Sequence, residues 1–297
     1  MYTSPAMSSL QPIPGLAWYN VQDPDSPALD ELAKRFNLHP LDVEDCRHRP
    51  QRAKTDEHGR YIFCVLKHLH AGKAFDDFDI FMAPDFLITV QKNDCAAVER
   101  VRKRVVDEKT QRLDRVFYII VDEVVDDYIA ELDDFADETS TIEADILDNA
   151  TPQMLQNIFQ LKRRLIEFRR IAGGMREVVN AIMRREHGIV GDDLDVYFRD
   201  VYDHLIRTVD LIESYRDLLT GSMDIYLSAV ANRTNEVMKV LTVYGTISLP
   251  LVIITGFFGM NLPLPLQNAP HGLAIAIGSM VLSTLIVLLY FKRKKWF

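Results

Sequence analysis

The chain has 297 residues, 48% of them hydrophobic, and a formal net charge of −9. This acidic balance argues against nucleic acid as a partner, because nucleic-acid affinity comes largely from contacts between basic side chains and phosphates, and it favours cations. The three cysteines, Cys46, Cys64 and Cys95, follow no metal-ligand or disulfide spacing, which indicates a reducing compartment.

Residues 1–110 are predicted to form an α/β domain. Proline after Ser26 and at position 40 indicates the start of two short helices, and the second helix carries Glu44 and Asp45. Runs of β-branched and aromatic residues predict strands between these helices and the next one. The remaining predicted elements are strands at 15–21, 61–70, 78–82 and 86–91 and a helix at 95–106.

Residues 111–190 are predicted to form an antiparallel helical hairpin. Its first helix, from about Arg115 to Asn149, is rich in acids and has no Lys or Arg after Arg115. Its second helix, which begins after Thr151 and ends near Glu186, is basic. We expect the acidic and basic faces to pair, and the alternative is that surplus acids form a cation-attracting surface near a membrane.

A long helix is predicted from about Asp193, because no proline occurs between that residue and Pro250. At 1.5 Å per residue, a helix from Asp193 to Gly259 is about 100 Å long. We therefore expect residues 191–239 to form a stalk that bundles with copies of itself. The predicted seam of apolar residues, at steps of three and four or their multiples, consists of Leu205, Val209, Ile212, Leu219, Met223, Tyr226, Val230, Val237 and Leu241.

Residues 240–297 are predicted to cross a lipid bilayer twice. No Asp, Glu, Lys or Arg lies between Lys239 and Lys292, and the interval has room for two spans of roughly 20 residues. Basic residues flank the spans and are absent from the loop between them, so the positive-inside rule places both termini in the cytoplasm. We expect a multi-pass protein of the cell (inner) membrane. The two predicted spans are 240–259 and 273–291.

The first span ends in the tripeptide Gly259-Met260-Asn261, which carries a family resemblance. The run NEVMKVLT at 235–242 precedes it, and the basic run 292–297 closes the sequence. Together with the large acidic domain that precedes them in the sequence, these features resemble the CorA family of divalent-cation (magnesium/cobalt) transporters. The resemblance implies an α+β fold with a cytoplasmic α/β/α domain, a long helical stalk and two C-terminal transmembrane helices, assembled as a homopentamer.

Gly259, Met260 and Asn261 are predicted to form a selectivity filter, since the family places its extracellular filter at this motif. Magnesium dehydrates reluctantly and prefers octahedral oxygen ligands. A ring of Asn261 amide oxygens and Gly259 carbonyls can accept hydrogen bonds from the water shell of the ion. In the alternative interpretation, Asn261 is the C-cap of the helix, which is compatible with a filter role.

One stripe of the long helix is predicted to line a pore. It starts with a carboxylate and an amide and continues with apolar and small residues toward the tripeptide. Apolar rings in a symmetric bundle can close a pore by dewetting. The alternative is an ordinary bundle core. The stripe residues are Asp224, Asn235, Met238, Thr242, Gly245, Leu249, Val252 and Gly256.

The resemblance also implies a regulatory divalent-cation site shared between subunits. It assigns to this site Asp200, which follows Phe198-Arg199, and the pair Glu44 and Asp45, with Asp122 as a further member. Carboxylates from neighbouring subunits repel one another when bare, so a bound Mg²⁺ stabilises the state in which they meet. The alternative for each acid is a solvated surface charge.

Two departures from the family pattern leave the transported ion open. The loop after Asn261 contains no acid, and Val252 occupies a stripe position at which threonine is expected. His68, His70 and His204 allow a softer metal such as zinc, cobalt or nickel.

We expect a transporter rather than an enzyme, because the sequence contains no catalytic constellation and no motif for an organic cofactor. Mg²⁺ is the expected substrate and regulatory ligand, drawn into the cytoplasm by the membrane potential. A zinc, cobalt or nickel transporter, with or without proton coupling, is the alternative within the family. A membrane-anchored coiled-coil scaffold without transport is the alternative from another class.

Overall fold

The computed structural model describes residues 7–10, 16–70, 74–92, 95–148, 150–184, 188–261, 270–294 and 296. Two compact units divide the chain, one from Met1 to Met223 and the other from Asp224 to Phe297. The predicted division at residues 110, 190 and 239 stays a prediction. The predicted element ends at Gly15, Asn149 and Glu186, and most of the loop between the two spans, lie outside the described residues.

The first unit contains a six-stranded sheet. Its strands are β1 (Met7–Leu10), β2 (Trp18–Val21), β3 (Lys54–Glu57), β4 (Ile62–His70), β5 (Ala74–Met82) and β6 (Leu87–Gln91), in the spatial order β1-β2-β6-β5-β4-β3. Neighbouring strands are antiparallel except β2 and β6, which are parallel. The sequence did not predict β1 and β3, because these short edge strands lack an apolar alternation.

Helices cover both faces of this sheet. They are α1 (Pro27–Phe36), α2 (Pro40–Arg47), α3 (Ala96–Glu108), α4 (Leu113–Asp148) and α5 (Pro152–Met183). Side chains alternate along a strand, so Phe63 and Val65 of β4 join the core beneath α1 and α2. Cys64 and Leu66 belong to the opposite face, where α4 and α5 contact β4. This layering confirms the predicted α/β/α domain.

The predicted pairing of an acidic helix with a basic one holds only in part. Arg164 of α5 contacts Glu131 at 3.0 Å and Glu138 at 2.7 Å on α4. Near the start of α4, however, the acids pair with arginines of α3, which packs directly against that part of α4. These pairs are Arg104 with Asp122 and Glu123, and Arg100 with Glu123 and Asp127.

The long predicted helix is α6 (Asp195–Phe258), which follows a short 3-10 helix at Asp192–Leu194. The proposed self-association seam is wrong for its first part. Leu205, Ile212, Leu219 and Tyr226 are buried within this chain, so they are not available to a second copy. The later seam positions, Val230, Val237 and Leu241, are exposed.

The second unit contains residues 224–258 of α6 and the helix α7 (Gly272–Arg293). Both helices are long and apolar enough to cross a membrane, with mean hydropathy of 1.9 and 2.4 over their most apolar windows. None of the residues in either window is buried within the chain. Their apolar character and exposure agree with the predicted pair of C-terminal transmembrane helices.

Candidate ion pathway and acidic sites

The tripeptide Gly259-Met260-Asn261 directly follows the end of α6 at Phe258. The amide of Gly259 donates to the Thr255 carbonyl at 2.9 Å, and the amide of Met260 donates to the Phe257 carbonyl at 3.4 Å, so the last turn tightens. A Cβ at Gly259 would lie 3.0 Å from the Thr255 oxygen. Glycine therefore suits this position because the backbone approaches closely. The side chain of Asn261 is exposed.

The predicted pore stripe runs along one side of α6 within an arc of about 100°, given 100° of rotation per residue. All its members, from Asp224 to Gly256, are exposed within the chain. Among them, Leu249 and Val252 expose 62% and 64% of their surface. The Thr242 hydroxyl donates to the Met238 carbonyl at 2.7 Å, which satisfies its hydrogen-bonding need inside the helix. The chain itself thus leaves the whole stripe uncovered.

The acids Glu44 and Asp45 lie in the last turns of α2 and differ in their surroundings. Glu44 is exposed, and one of its oxygens lies 3.5 Å from Nδ1 of His48. Asp45 accepts a hydrogen bond from Lys54 Nζ at 2.8 Å, and the same amine contacts Asp56 at 2.6 Å. A cation bound at Asp45 must therefore compete with Lys54 or displace it.

Asp200, in α6, is 68% exposed at its side chain, and its carboxylate lies 3.9 Å from Nε2 of His204 one turn later. The Nδ1 atom of His204 is buried and has no hydrogen-bond partner in the described part of the chain. Asp122 is nearly buried and pairs with Arg104 at 2.7 Å. Asp122 is therefore already neutralised within the chain, whereas among the described residues the ion pair of Asp200 is with the more distant imidazole of His204.

Asp126 is a member of this region that the sequence did not single out. Burial raises the pKa of its carboxyl, as do the neighbouring charges of Asp122 and Glu123, while the charge of His204 lowers it. It therefore lies within electrostatic range of both α4 acids and of the imidazole beside Asp200. The signal that could have found it is its position four residues after Asp122, which places both side chains on one helix face.

The structure does not join the two halves of the predicted regulatory site within one chain. Across the described residues, no hydrogen bond or ion pair links Glu44 or Asp45 to Asp200. His68, offered as a ligand for a softer metal, is buried in the sheet, and burial lowers the pKa of its imidazole. That histidine is a core residue, because its ring packs edge-on against Phe78 with centroids 6.0 Å apart.

Comparisons with known proteins agree with these features. A model of the family described as CorA-like Mg2+ transporter protein matches residues 14–293. The cobalt/magnesium transport protein CorA of Thermotoga maritima is 33% identical over 278 residues, which cover 90% of this chain and 79% of that protein. The protein of the same name from Methanocaldococcus jannaschii is 25% identical over 289 residues, which cover 95% and 91%.

The comparison of folds also covers nearly the whole chain. The complete structure of the CorA magnesium transporter from Methanocaldococcus jannaschii superposes with a TM-score of 0.85 at 24% identity, over 94% of this chain and 91% of that one. The fold agrees over both the α/β part and the helices that follow it. The predicted resemblance is thereby confirmed, and the chain belongs to the CorA family of Mg²⁺ transporter proteins.

Proposed function

We propose that this chain assembles into a homopentameric, channel-like transporter that carries Mg²⁺ into the cytoplasm. The observation that carries the proposal is the stripe of α6 that stays exposed from Asp224 to Gly256 and leads to the tripeptide ending at Asn261. Asp224 and Asn235 come before the predicted span at 240–259, on the proposed cytoplasmic side, where a carboxylate and an amide attract a cation. Turned toward a shared axis between copies, the same groups face water and the ion.

The direction of transport follows from charge and topology. Lys292 and Arg293 follow the second span, and Lys239 precedes the first, which supports cytoplasmic termini. An inside-negative potential then favours entry of a divalent ion by about 4.6 kcal/mol per 100 mV, twice the value for a single charge. Transport is the proposed activity in place of catalysis, since the named relatives are transport proteins.

The exposed side chain of Asn261 supports a filter that binds the hydrated ion. Amide oxygens arranged in a ring accept hydrogen bonds from the water shell of Mg²⁺, so the ion is not stripped of its water. Past the filter, Leu249 and Val252 supply apolar rings that close the pore when they come together and dewet.

Regulation is proposed to act through acids contributed by different subunits. Asp200 is exposed on one surface, and Glu44 is exposed at the end of α2. Within the described residues of one chain these acids do not pair, which leaves them available to a neighbour. Mg²⁺ bound between them stabilises the closed assembly by RT ln(1 + [L]/Kd) per site. Asp126 is a further acid near Asp200, because the charge of His204, which lies beside Asp200, lowers the pKa of the Asp126 carboxyl.

The test is uptake into proteoliposomes that contain a magnesium-sensitive dye, under an imposed inside-negative potential. Asn261→Ala is expected to abolish or greatly reduce Mg²⁺ entry. The matched control is Ser283→Ala in α7, whose hydroxyl donates a hydrogen bond within its own helix, to the Met280 carbonyl at 2.9 Å. Entry of Zn²⁺ without Mg²⁺ would replace magnesium by zinc as the substrate. Absence of any flux in the wild type would contradict transport.

A further inference from the structure

Three side chains outside the pathway and the acidic sites form a separate cluster: His39, Asp42 and His58. One ligand atom from each lies within 4.8 Å of the other two. No other group of three or more His, Cys, Asp or Glu side chains meets this condition in the described part of the chain. The cluster is independent of the proposed transport function and of Asp45 and Asp200.

The local fold places the three residues for clear reasons. His39 is the N-cap of α2, where its Nδ1 accepts a hydrogen bond from the Leu41 amide at 3.3 Å. Asp42 follows three positions later, on the same side of the first turn. His58 opens the tight turn between β3 and β4, in which Gly59 adopts a φ of +67° that favours glycine. The turn thus brings His58 over the start of α2.

Asp42 is held in place by its neighbours. Its side chain is 4% exposed, and one of its oxygens accepts a hydrogen bond from the Tyr61 hydroxyl at 2.7 Å. Nε2 of His58 lies 2.9 Å from that same carboxylate oxygen. The Tyr61 oxygen in turn accepts a hydrogen bond from the His39 amide at 2.8 Å. Metal sites depend on such outer partners, which orient the ligating carboxylate.

We propose that the His39–Asp42–His58 cluster binds a divalent transition metal of borderline softness, with Zn²⁺ and Co²⁺ as its representatives. Two imidazole nitrogens and one carboxylate oxygen form the ligand set of many three-ligand zinc sites, in which water completes the tetrahedron. Mg²⁺ prefers oxygen ligands throughout, so this donor set disfavours the ion that the pathway is proposed to carry. The rings of His39 and His58 are near-parallel, with centroids 4.8 Å apart.

The distances need only a small adjustment. Ligand atoms around a tetrahedral zinc ion lie roughly 3.3 Å apart, given bonds of about 2.0–2.1 Å. The His58–Asp42 separation of 2.9 Å must open slightly, and the metal then replaces their hydrogen bond. The wider separations close by movement of the exposed His39 side chain, whose Nδ1 gives up its hydrogen bond from the Leu41 amide when a ring nitrogen binds the metal. The backbone positions of α2 and the turn stay as they are.

The competing interpretation is an Asp–His ion pair beside a histidine that only caps a helix. His39→Asn separates the two, because asparagine keeps a side-chain acceptor for the Leu41 amide and removes the imidazole. His48→Asn is the matched control, since His48 is 72% exposed at its side chain and lies just after α2, outside the cluster.

The experiment uses the full-length protein in detergent, freed of metal with a chelator and then titrated with Co²⁺ in excess Mg²⁺. Excess Mg²⁺ occupies sites built from oxygen ligands, so the visible absorption of bound Co²⁺ reports nitrogen ligation. The wild type and the His48→Asn control are expected to bind one equivalent per chain and to show a higher melting temperature with Zn²⁺. His39→Asn and His58→Gln are expected to lose that equivalent, and Tyr61→Phe to bind roughly tenfold more weakly.

The variants must retain the metal-free melting temperature of the wild type, and His39→Asn decides the question if His58→Gln does not fold. Equal Co²⁺ binding by the wild type and His39→Asn would overturn the proposal, as would complete displacement of Co²⁺ by Mg²⁺. Asn261→Ala is expected to keep the Co²⁺ spectrum whatever its transport activity, so failure of the transport proposal is distinguishable from failure of this one.

Discussion

An apolar face runs along both halves of α6, but its residues are buried in the first half and exposed in the second. Leu205, Ile212 and Leu219 are each 0% exposed, whereas Val237 and Leu241 expose 62% and 63% of their surface. At 100° of rotation per residue, these five positions fall within an arc of about 40° on one side of the helix. In the first half, side chains of α4 and α5 contact α6: Phe198 packs on Phe117, and Lys162 donates to Thr220 at 3.0 Å.

The comparison shows that a periodic pattern identifies which face of a helix is apolar and leaves open what covers it. Full burial of a large apolar side chain contributes about 1.5–3 kcal/mol. In the first half, this energy stabilises the fold of one chain. In the second half, the same kind of residue is left for lipid or for other copies.

The largest expected effect is a difference in the free energy of unfolding between substitutions in the two halves of α6. Ile212→Ala is expected to lower the free energy of unfolding by about 2–5 kcal/mol, because it leaves a cavity in a packed interface. Val237→Ala is expected to change it by less than about 0.5 kcal/mol, because that residue is 62% exposed within the chain. Denaturant titration of the detergent-solubilised protein measures both. Equal losses would show that the two halves are buried alike.

A second prediction concerns the ion pairs of α3 with α4. Arg104→Gln leaves Asp122 without its arginine, while Glu123 keeps Arg100, and is expected to cost about 1–3 kcal/mol, since the Asp122 carboxylate is largely buried. Arg169→Gln is the control, because its pair with Glu213 is about half exposed on both sides and contributes at most about 1 kcal/mol.

The response to added Mg²⁺ provides a further test of this second prediction. The Asp122 carboxylate freed by Arg104→Gln is expected to attract a cation, so millimolar Mg²⁺ should restore part of the lost stability in that variant. It should not restore stability in Arg169→Gln. Thermal unfolding with and without Mg²⁺ measures the difference. An identical Mg²⁺ response in the two variants would argue against a cation-binding surface near Asp122.

The third prediction tests the close approach at the end of α6. Gly259→Ala pushes a Cβ against the Thr255 carbonyl at 3.0 Å and is expected to reduce Mg²⁺ uptake severalfold while costing about 1 kcal/mol of stability. Gly278→Ala in α7 meets nothing within 4 Å and is the control, with unchanged uptake. Full uptake by the Gly259 variant would show that this turn tolerates a side chain.

The smallest expected effect is a pH dependence at Asp126. Partial burial, and then the charges of Asp122 and Glu123, raise the pKa of this carboxyl above its ordinary value of 3.8, so it stays protonated to higher pH than an isolated aspartate. A bound cation favours the ionised form. Divalent affinity is therefore expected to rise with pH through the raised pKa and then to level off.

Isothermal titration with Mg²⁺, repeated at pH values below and above the raised pKa of Asp126, measures the rise in divalent affinity. Asp126→Asn is expected to flatten the pH dependence, because the variant has no proton to release at that position. The same group also disfavours folding as it ionises, so in the absence of cations its stability contribution is lost as pH rises through the raised pKa. An unchanged pH dependence in Asp126→Asn would assign the titration to another group.

The local signals in the sequence predicted much of this molecule. Proline at positions 27, 40 and 152 indicated helix starts, and those helices begin at these residues. The interval without Asp, Glu, Lys or Arg predicted two membrane spans, because desolvating charge in a bilayer is costly and an apolar run reports that directly. The tripeptide at Gly259 indicated the family, and the family match confirms it.

Tertiary structure alone decided which distant groups meet. Asp122 pairs with Arg104 of α3 instead of a base of α5, and Leu205 faces its own domain instead of a second copy. His58 reaches Asp42 because the turn between β3 and β4 brings it to the start of α2. Residue type and spacing report the preferences of a local segment, whereas partners far along the chain are selected by how those segments pack.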